Sequence, residues 1–380
     1  MPVLTLTLTA PNGKRFTDVL SSEIEYTNVL GAIGYAQIKI DTPAVGAIRH
    51  FTENSTFLPA NLYDWRARIT YLGVTDFVGV VRRVEYGDNG RGGSYAILDV
   101  ADLNVLLDSR VIAYRAGSAQ ADKTGAADDL IKAYVRENLG SLSTPDYDGN
   151  ATTARDASAW LTVASDQAAA ASVEWKASGA GLLETIQGLQ KAAFAAGDDL
   201  LFGLRYTGDT AVLVTGVGFV GADRSGQAVF SQENGNLVNP KLIYDYTDYN
   251  TIAYAADAGK DAEQAIIETT NPNIALRTVA SRREAWVNSS GETTDAVTAD
   301  GQAEVMSAYP RIRFDAEIIS NQRTPYNRPV SGGWRLGDIV KANFGGQSFN
   351  VLVKAVHVKT DPKTGDTQVR ARIESTGVIY

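Results

Sequence analysis

The chain has 380 residues, of which 44% are hydrophobic and 21% charged, a balance typical of a globular protein with roughly two or three domains. Its net charge of −9 argues against a surface built to grip nucleic acid, and the absence of cysteine excludes disulfides and thiolate metal sites. The N-terminus lacks the features of a signal peptide, and no apolar run approaches the ~20 residues that span a bilayer, so we expect a soluble chain made without export.

The first hundred residues predict a small antiparallel β unit, either a barrel or a sandwich. Hydrophobic and polar residues alternate in segments 3–9 and 35–41, as in strands with one buried face. Segments 65–72 and 77–86 predict a hairpin that turns at the residues between them. The stretch 95–114 begins with alternation, changes to helical spacing and ends in a short β-type run. We interpret it as the exit from this β unit.

The middle of the chain predicts an α+β unit. Apolar residues recur at helical spacing in two segments. The first has Asp128 and Asp129 in its first turn, and the second has Ser178 as a predicted N-cap and Gly197 just past its end. Residues 141–158 form a predicted polar loop. The predicted elements are a helix at 126–139, a strand at 172–176, a helix at 181–196 and a hairpin at 200–206 and 210–214.

The last third of the chain returns to strands. Gly, Asn, Ser and Gln dominate residues 216–240, which we predict to be irregular. A polar loop at 288–299 precedes a predicted short helix with Ala303 and Met306 on one side. Strands are predicted at 242–246, 251–256, 265–269, 282–287, 312–319, 334–342, 348–359 and 367–375.

Three glycines match the spacing of a dinucleotide-binding loop. Gly216, Gly218 and Gly221 fit G-x-G-x-x-G and follow a predicted strand. That motif binds a pyrophosphate only where a helix begins after it, because the helix amides hold the phosphate. The residues that follow carry no helical stripe. We therefore interpret the segment as a glycine-rich loop and predict no cofactor.

Candidate metal ligands and catalytic residues are few. Segment 146–150 resembles the start of a calcium loop, but its glycine comes too early, and Ala157 stands where the bidentate Glu belongs. A solvated turn is favoured, with a loosely bound cation as the alternative. His50 and His357 are far apart in sequence, and the motifs of zinc proteases and α/β-hydrolases are missing. We predict no metal site and no catalytic residues.

Basic and aromatic side chains supply a candidate interface. The arginines of the predicted hairpin favour a solvated strand face or a subunit contact over a phosphate patch in so acidic a chain. Large aromatics near strand starts and at the chain end are core residues by default, with interface anchoring as the alternative. The candidate interface residues are Trp65, Arg66, Arg68, Arg82, Arg83, Trp334 and Tyr380.

The order of several short motifs resembles a known family. WRARI begins at Trp65 and FVGVVR at Phe77, followed by DVADL at Asp99 and LDSRVI at Leu107. The helical segments AADDLIKAYV and GLLETIQGLQKAAFAAG come next, and GWRLGDIV begins at Gly333 near the end. In this order the motifs resemble the tail hub, or baseplate hub, proteins of long-tailed bacteriophages, over nearly the whole chain.

The resemblance implies a mainly-β α+β protein with two small antiparallel β-barrel domains joined by α+β insertions. The implied domains are an N-terminal barrel at 1–100, an α+β middle domain at 101–240, a β-rich connector with a short helix at 241–310 and a C-terminal barrel at 311–380. It also implies a homotrimer whose six barrels form a pseudo-sixfold ring that continues the tail tube.

The same resemblance implies a place in the virion, after synthesis in the host cytoplasm. The expected partners are a distal tail or tube protein ring, the tape-measure protein and a spike or fibre protein, while DNA passes through the lumen without specific binding. The chain stops at Tyr380, where many relatives continue into a fibre or a hydrolase, so we expect no enzymatic activity. The alternatives are a tail-associated hydrolase of cell wall or polysaccharide and a carbohydrate-binding module.

Overall fold

The computed structural model shows a mainly-β chain, as the sequence predicts. Its strands separate into one large sheet and three small ones, and its longer helices lie in the middle of the chain and in the connector. The structure describes residues 3–11, 13–17, 19, 21, 23–41, 65–88, 94–113, 121–143, 155–177, 179–245, 249–257, 259, 264–271, 278–289, 294–307, 311–328, 332–361 and 364–375.

The first β unit contains strands that pair in an antiparallel fashion. Buried and exposed residues alternate along them, which places one face of each strand in the core. The predicted hairpin is confirmed, but its turn consists of Leu72 and Gly73 alone and comes earlier than the predicted one. The strands are β1 (Leu4–Thr9), β2 (Arg15–Phe16), β3 (Glu23–Val29), β4 (Tyr35–Asp41), β5 (Arg66–Tyr71), β6 (Val74–Asp88) and β7 (Ser94–Asp102).

The middle α+β unit matches its prediction closely. Both long helices are present, and Gly197 adopts a φ of +101° just past the second one. The N-cap residue of that helix is Gly181 and not the predicted Ser178, and no described side chain hydrogen-bonds to the N–H groups of its first turn. The elements are α1 (Val105–Asp108), β8 (Ala121–Ala126), α2 (Ala127–Asn138), β9 (Leu161–Val163), β10 (Ser172–Ala177), α3 (Leu182–Ala195), β11 (Leu200–Thr207) and β12 (Thr210–Val217).

The connector departs from its prediction in two places. Two strands occupy part of the segment 216–240, which was predicted to be irregular. The predicted short helix begins at Thr294, inside the predicted polar loop. The elements are β13 (Val229–Ser231), β14 (Leu237–Asp245), β15 (Ile252–Ala256), β16 (Ile266–Thr270), a 3-10 helix (Val279–Ser281), β17 (Glu284–Asn288) and α4 (Thr294–Ser307).

The start of α4 was not predicted because small residues make its contact with the sheet. Val297, Gly301 and Val305 recur every fourth residue and are buried, but the helix has no wide apolar stripe. A Cβ at Gly301 would lie 2.8 Å from Oγ1 of Thr269 and 3.1 Å from Cβ of Ala255. The glycine therefore lets the helix approach the sheet of β15 and β16 closely, which a hydrophobic pattern does not reveal.

The last β unit joins the first one directly. It contains β18 (Arg311–Ile319), β19 (Ile339–Phe344), β20 (Gln347–Thr360) and β21 (Thr367–Ser375). Strand β20 pairs antiparallel with β3, in a register that places Val356 opposite Asn28 and Val358 opposite Tyr26. The result is one 13-stranded sheet that runs from β14 through β20 and β3 to β2, with β13 and β19 beside that path.

The described strands do not form two separate closed barrels. Their pairing path has two ends, and residues from both β units pack into one hydrophobic core. A second core lies under the middle unit, between α2, α3 and the sheet of β9, β11 and β12. The mainly-β prediction is therefore confirmed, whereas the division into two barrels is not shown by the strand pairing.

Trp334 is a central residue of the shared core. It is 0% exposed, its Nε1 donates a hydrogen bond to the carbonyl oxygen of Thr324 at 2.8 Å, and its ring meets those of Phe230 and Tyr326 at centroid distances of 5.8 and 5.0 Å. Trp65 is also 0% exposed and stacks on Phe16. Core packing, the default expectation for these two tryptophans, is what the structure shows. Neither indole has exposed surface in the single chain, which leaves the alternative of interface anchoring without support from the fold.

The burial of Trp334 predicts a large cost of truncation. We expect Trp334→Ala to lower the free energy of unfolding by about 3–5 kcal/mol, because it removes an indole from a packed core and leaves a cavity. Thermal and urea unfolding of purified protein measure the change. Trp286→Ala is the matched control, because Trp286 is 54% exposed and its loss should cost less than about 0.5 kcal/mol. Equal effects of the two substitutions would contradict the core assignment.

Candidate functional site

A buried carboxylate ties the two β units together. Asp76, near the start of β6, accepts hydrogen bonds from the hydroxyl of Tyr26 at 2.5 Å, the hydroxyl of Tyr326 at 2.8 Å and Nδ2 of Asn327 at 3.1 Å. Nδ2 of Asn28 donates to the backbone oxygen of Asp76 at 2.9 Å. Asp76, Tyr26 and Asn28 belong to the first unit, and the other two residues precede the last strands. We call these five residues the junction cluster.

Burial controls the charge of this cluster. It raises the pKa of Asp76 to about 6, against the opposing effect of hydrogen bonds from Tyr26 and Tyr326 and the charge of Arg335. Burial and the Asp76 charge together raise the pKa of both tyrosines well above the usual range. The tyrosines therefore stay protonated and act as donors, while Asp76 takes up a proton as the pH falls through about 6.

A polar cleft of about 420 Å³ opens beside the junction cluster. Its walls come from the first unit, from the β11–β12 hairpin and from the loops before β13 and β19. Tyr206, on that hairpin, also bonds to Asp102, whose pKa burial raises to about 7. The cleft therefore meets all three parts of the chain, and it is the best candidate for a binding site among the described residues.

Asp338 organises the far wall of the cleft. It is buried, accepts hydrogen bonds from the backbone N–H groups of Ala222 at 2.7 Å and Arg335 at 2.9 Å, and pairs with Nε of Arg224 at 3.3 Å. A Cβ at Gly221 would lie 2.2 Å from Oδ1 of Asp338. This close approach explains the last glycine of the G-x-G-x-x-G match, and no helix follows that segment, as the sequence predicts.

Asp209 joins the first unit to the middle unit. This buried residue lies in the β11–β12 turn, and its carboxylate pairs with Arg15 at 2.6 Å and with Arg68 at 2.8 Å. Nη1 of Arg66 donates to the backbone oxygen of Asp209 at 3.3 Å, and its guanidinium lies 4.6 Å from the ring centroid of Trp160. Arg66 and Arg68 therefore serve a contact inside the chain, in addition to any role at a subunit interface.

The other predicted interface residues lie elsewhere. Arg83 is exposed and pairs with Asp99 at 3.0 Å and with Glu85, while Arg82 is half-buried at a bulge in β6. The four arginines thus form two groups, and the structure does not bring them together in one patch. Tyr380, His50 and the acidic segment 146–150 lie outside the described residues.

His357 is a strand residue, as predicted. It lies in β20 opposite Thr27 of β3, whose hydroxyl is 3.0 Å from its Nδ1, and its Nε2 is 3.5 Å from a carboxylate oxygen of Glu25. These contacts cross the joint between the two β units. Asp76 was not a predicted site residue, because the sequence pattern places it in a turn. The available signal is a lone Asp beside Phe77 at the start of a strand pattern, since strands are depleted in Asp and a buried Asp needs a partner.

The raised pKa of Asp76 predicts a pH dependence of stability. The folded chain binds this proton more tightly than the unfolded chain, whose Asp has a pKa of about 3.9, so stability is gained as pH falls through about 6. Between pH 7 and pH 5 we expect a gain of about 1 kcal/mol from this group in the free energy of unfolding.

Urea unfolding at several pH values measures the dependence. Asp76→Asn should reduce the change in the free energy of unfolding between pH 7 and pH 5 by about 1 kcal/mol, so that the contribution of Asp102 remains. Asp108→Asn, on the surface, should retain the pH profile of the wild type. A profile of Asp76→Asn parallel to that of the wild type would contradict the assignment.

The burial of Asp209 predicts that its ion pairs matter more than those on the surface. We expect Asp209→Asn to lower the free energy of unfolding by about 2 kcal/mol, because it leaves Arg68 half-buried without its partner charge. Asp99→Asn breaks the exposed pair with Arg83 and should cost less than about 0.5 kcal/mol. Thermal unfolding compares the two variants, and a larger effect at Asp99 would overturn the ranking.

Comparisons with known structures show the same fold over the full chain. A tail protein from Neisseria meningitidis MC58 is 12% identical, with a TM-score of 0.55, and the match covers 99% of this chain and 97% of that one. The 43 kDa tail protein of prophage MuSo2 from Shewanella oneidensis is 13% identical, with a TM-score of 0.56 and 97% coverage of both chains. Prophage tail protein gp18 from Listeria monocytogenes is 10% identical, with a TM-score of 0.51 and coverage of 97% and 94%.

No curated protein matches the chain. Among the described residues, none of the helices has the length and the apolar character to cross a membrane.

The family model described as Siphovirus ReqiPepy6 Gp37-like protein matches residues 66–373, which is most of the chain. The chain therefore belongs to the Siphovirus ReqiPepy6 Gp37-like family.

Proposed function

We propose that this protein is a structural hub of the tail tip, a homotrimer whose ring has pseudo-sixfold symmetry and caps or continues the tail tube. The observation that carries the proposal is the pairing of β3 with β20, which places the first and last β units side by side. Two adjacent β units in each of three subunits supply six similar positions around one axis. The shared fold with the tail proteins from Neisseria meningitidis and from prophage MuSo2 supports the same role.

The open sheet supports a function in assembly. Among the described strands, β14 and β2 end the pairing path and leave backbone groups that a neighbouring chain can cover. In this proposal each β unit completes a barrel-like module within the ring, and the domains are 1–100, 101–240, 241–310 and 311–380. Strand β14 pairs with β18, so the start of the connector also extends the last module.

The charges on the joint between the units suit a wall past which DNA moves. Across β3 and β20, Lys359 pairs with Glu25 at 2.5 Å and with Glu23 at 3.4 Å, so cations on this face have carboxylate partners. A face whose charges compensate one another offers little net attraction to phosphates. The ring would connect a distal tail or tube protein and the tape-measure protein to a spike or fibre, as a component of the virion without enzymatic activity.

Imaging of assembled tail tips tests the proposal. We expect three copies of this chain around a central opening, with first and last β units alternating in six positions, and cross-linking of the purified assembly should yield a species of three chains. A single copy, or copies without threefold symmetry, would overturn the hub. Turnover of peptidoglycan by the purified chain would instead support the hydrolase hypothesis, and saturable binding to host-envelope glycans the carbohydrate-binding hypothesis.

A further inference from the structure

The cleft beside the junction cluster has the size of a ligand site. Its volume of about 420 Å³ falls within the range of roughly 300–1,000 Å³ that is usual for such sites. Its lining is part polar and part apolar, with Leu30 and Val220 beside the buried polar residues. Because three parts of the chain form its walls, its shape depends on the complete fold, as expected for a site at the meeting point of domains.

Cations outnumber carboxylates in the cleft. Three guanidinium groups line it, those of Arg205, Arg224 and Arg335. Arg224 pairs with Asp338, whereas Nη2 of Arg205 donates to the backbone oxygen of Val220 at 2.6 Å, and no described carboxylate lies within salt-bridge distance of Arg205 or Arg335. Two carboxylates, those of Asp76 and Asp338, also line the cleft, so three cations face two anions. In a chain with a net charge of −9, this small local excess of cations favours a negatively charged ligand.

Asn28 belongs to the buried floor of the cleft. It is 3% exposed, its Nδ2 donates to the backbone oxygen of Asp76, and its Oδ1 has almost no accessible surface, so this side chain does not offer a contact to a ligand. The side chains of Arg205 and Arg335, in contrast, are exposed at the rim, and these two cations are the groups that a ligand can reach.

We propose that this cleft binds an extended acidic peptide segment of a partner protein. Side-chain carboxylates of the segment pair with Arg335 and Arg205, because the planar guanidinium suits the geometry of a carboxylate. A peptide carries several carboxylates along one chain and fills a cleft of about 420 Å³, whereas a single phosphate ion would occupy only a small part of it. The proposal does not depend on the trimeric ring, since a single chain forms all the walls of the cleft.

Fluorescence anisotropy with a defined probe tests the site. The probe is an acetylated hexapeptide of alternating Glu and Ala that carries fluorescein, titrated with the full chain at low salt, where charge pairing is least screened. We expect saturable binding. Arg335→Glu should weaken it by about tenfold or more, because the variant replaces a pairing cation with a like charge. A probe with Gln in place of Glu should bind about tenfold more weakly as well.

The control is a matched charge reversal outside the cleft. Arg370→Glu changes a side chain that is 53% exposed on β21 and should alter the affinity by less than about twofold. Circular dichroism melting verifies that both variants fold. Equal losses in the two variants would show that only net charge matters, and absence of saturable binding to the wild type would overturn the site. Displacement of the probe by equimolar phosphate would assign the cleft to a simple anion and overturn the peptide.

Discussion

The antiparallel pairing of β3 with β20 is the constraint on which the rest of the structure depends. These strands are more than 300 residues apart in the sequence, and their ladder brings the first and last parts of the chain into one sheet. Both parts then bury their apolar faces in a common core around Trp334. Closing so long a loop carries an entropic cost that grows only slowly with length, so burial on this scale can offset it.

The junction cluster adds specificity to that hydrophobic contact. Apolar packing tolerates small shifts, but Asp76 accepts hydrogen bonds from Tyr26, Tyr326 and Asn327 only in one relative position of the two units. Asp209 has the same function between the first unit and the middle unit, through Arg15 and Arg68. Buried carboxylates thus define both joints, and the cleft opens beside the first of them.

Much of the local structure was predictable, and the errors have physical causes. The helices α2 and α3 were predicted because their apolar stripes repeat at helical spacing, and β4, β5 and β21 because their residues alternate. Strand β3 was missed, although its burial alternates in the folded chain, since Glu, Tyr, Thr and Asn weaken the hydrophobic contrast. The start of α4 was missed because glycine and valine, not leucine, make its contact with the sheet.

Taken alone, the sequence determined the type of most elements, the mainly-β class and the resemblance to phage tail hub proteins, because periodicity and motif order are properties of neighbouring residues. Only the tertiary structure decided which strands pair and that Asp76 and Asp209 join the parts of the chain. A strand carries the same alternation whatever its partner, and a carboxylate looks alike in a turn or in a core. The hydrogen-bond donors that surround the buried Asp76 come from both ends of the chain, and no local sequence pattern indicates that they meet.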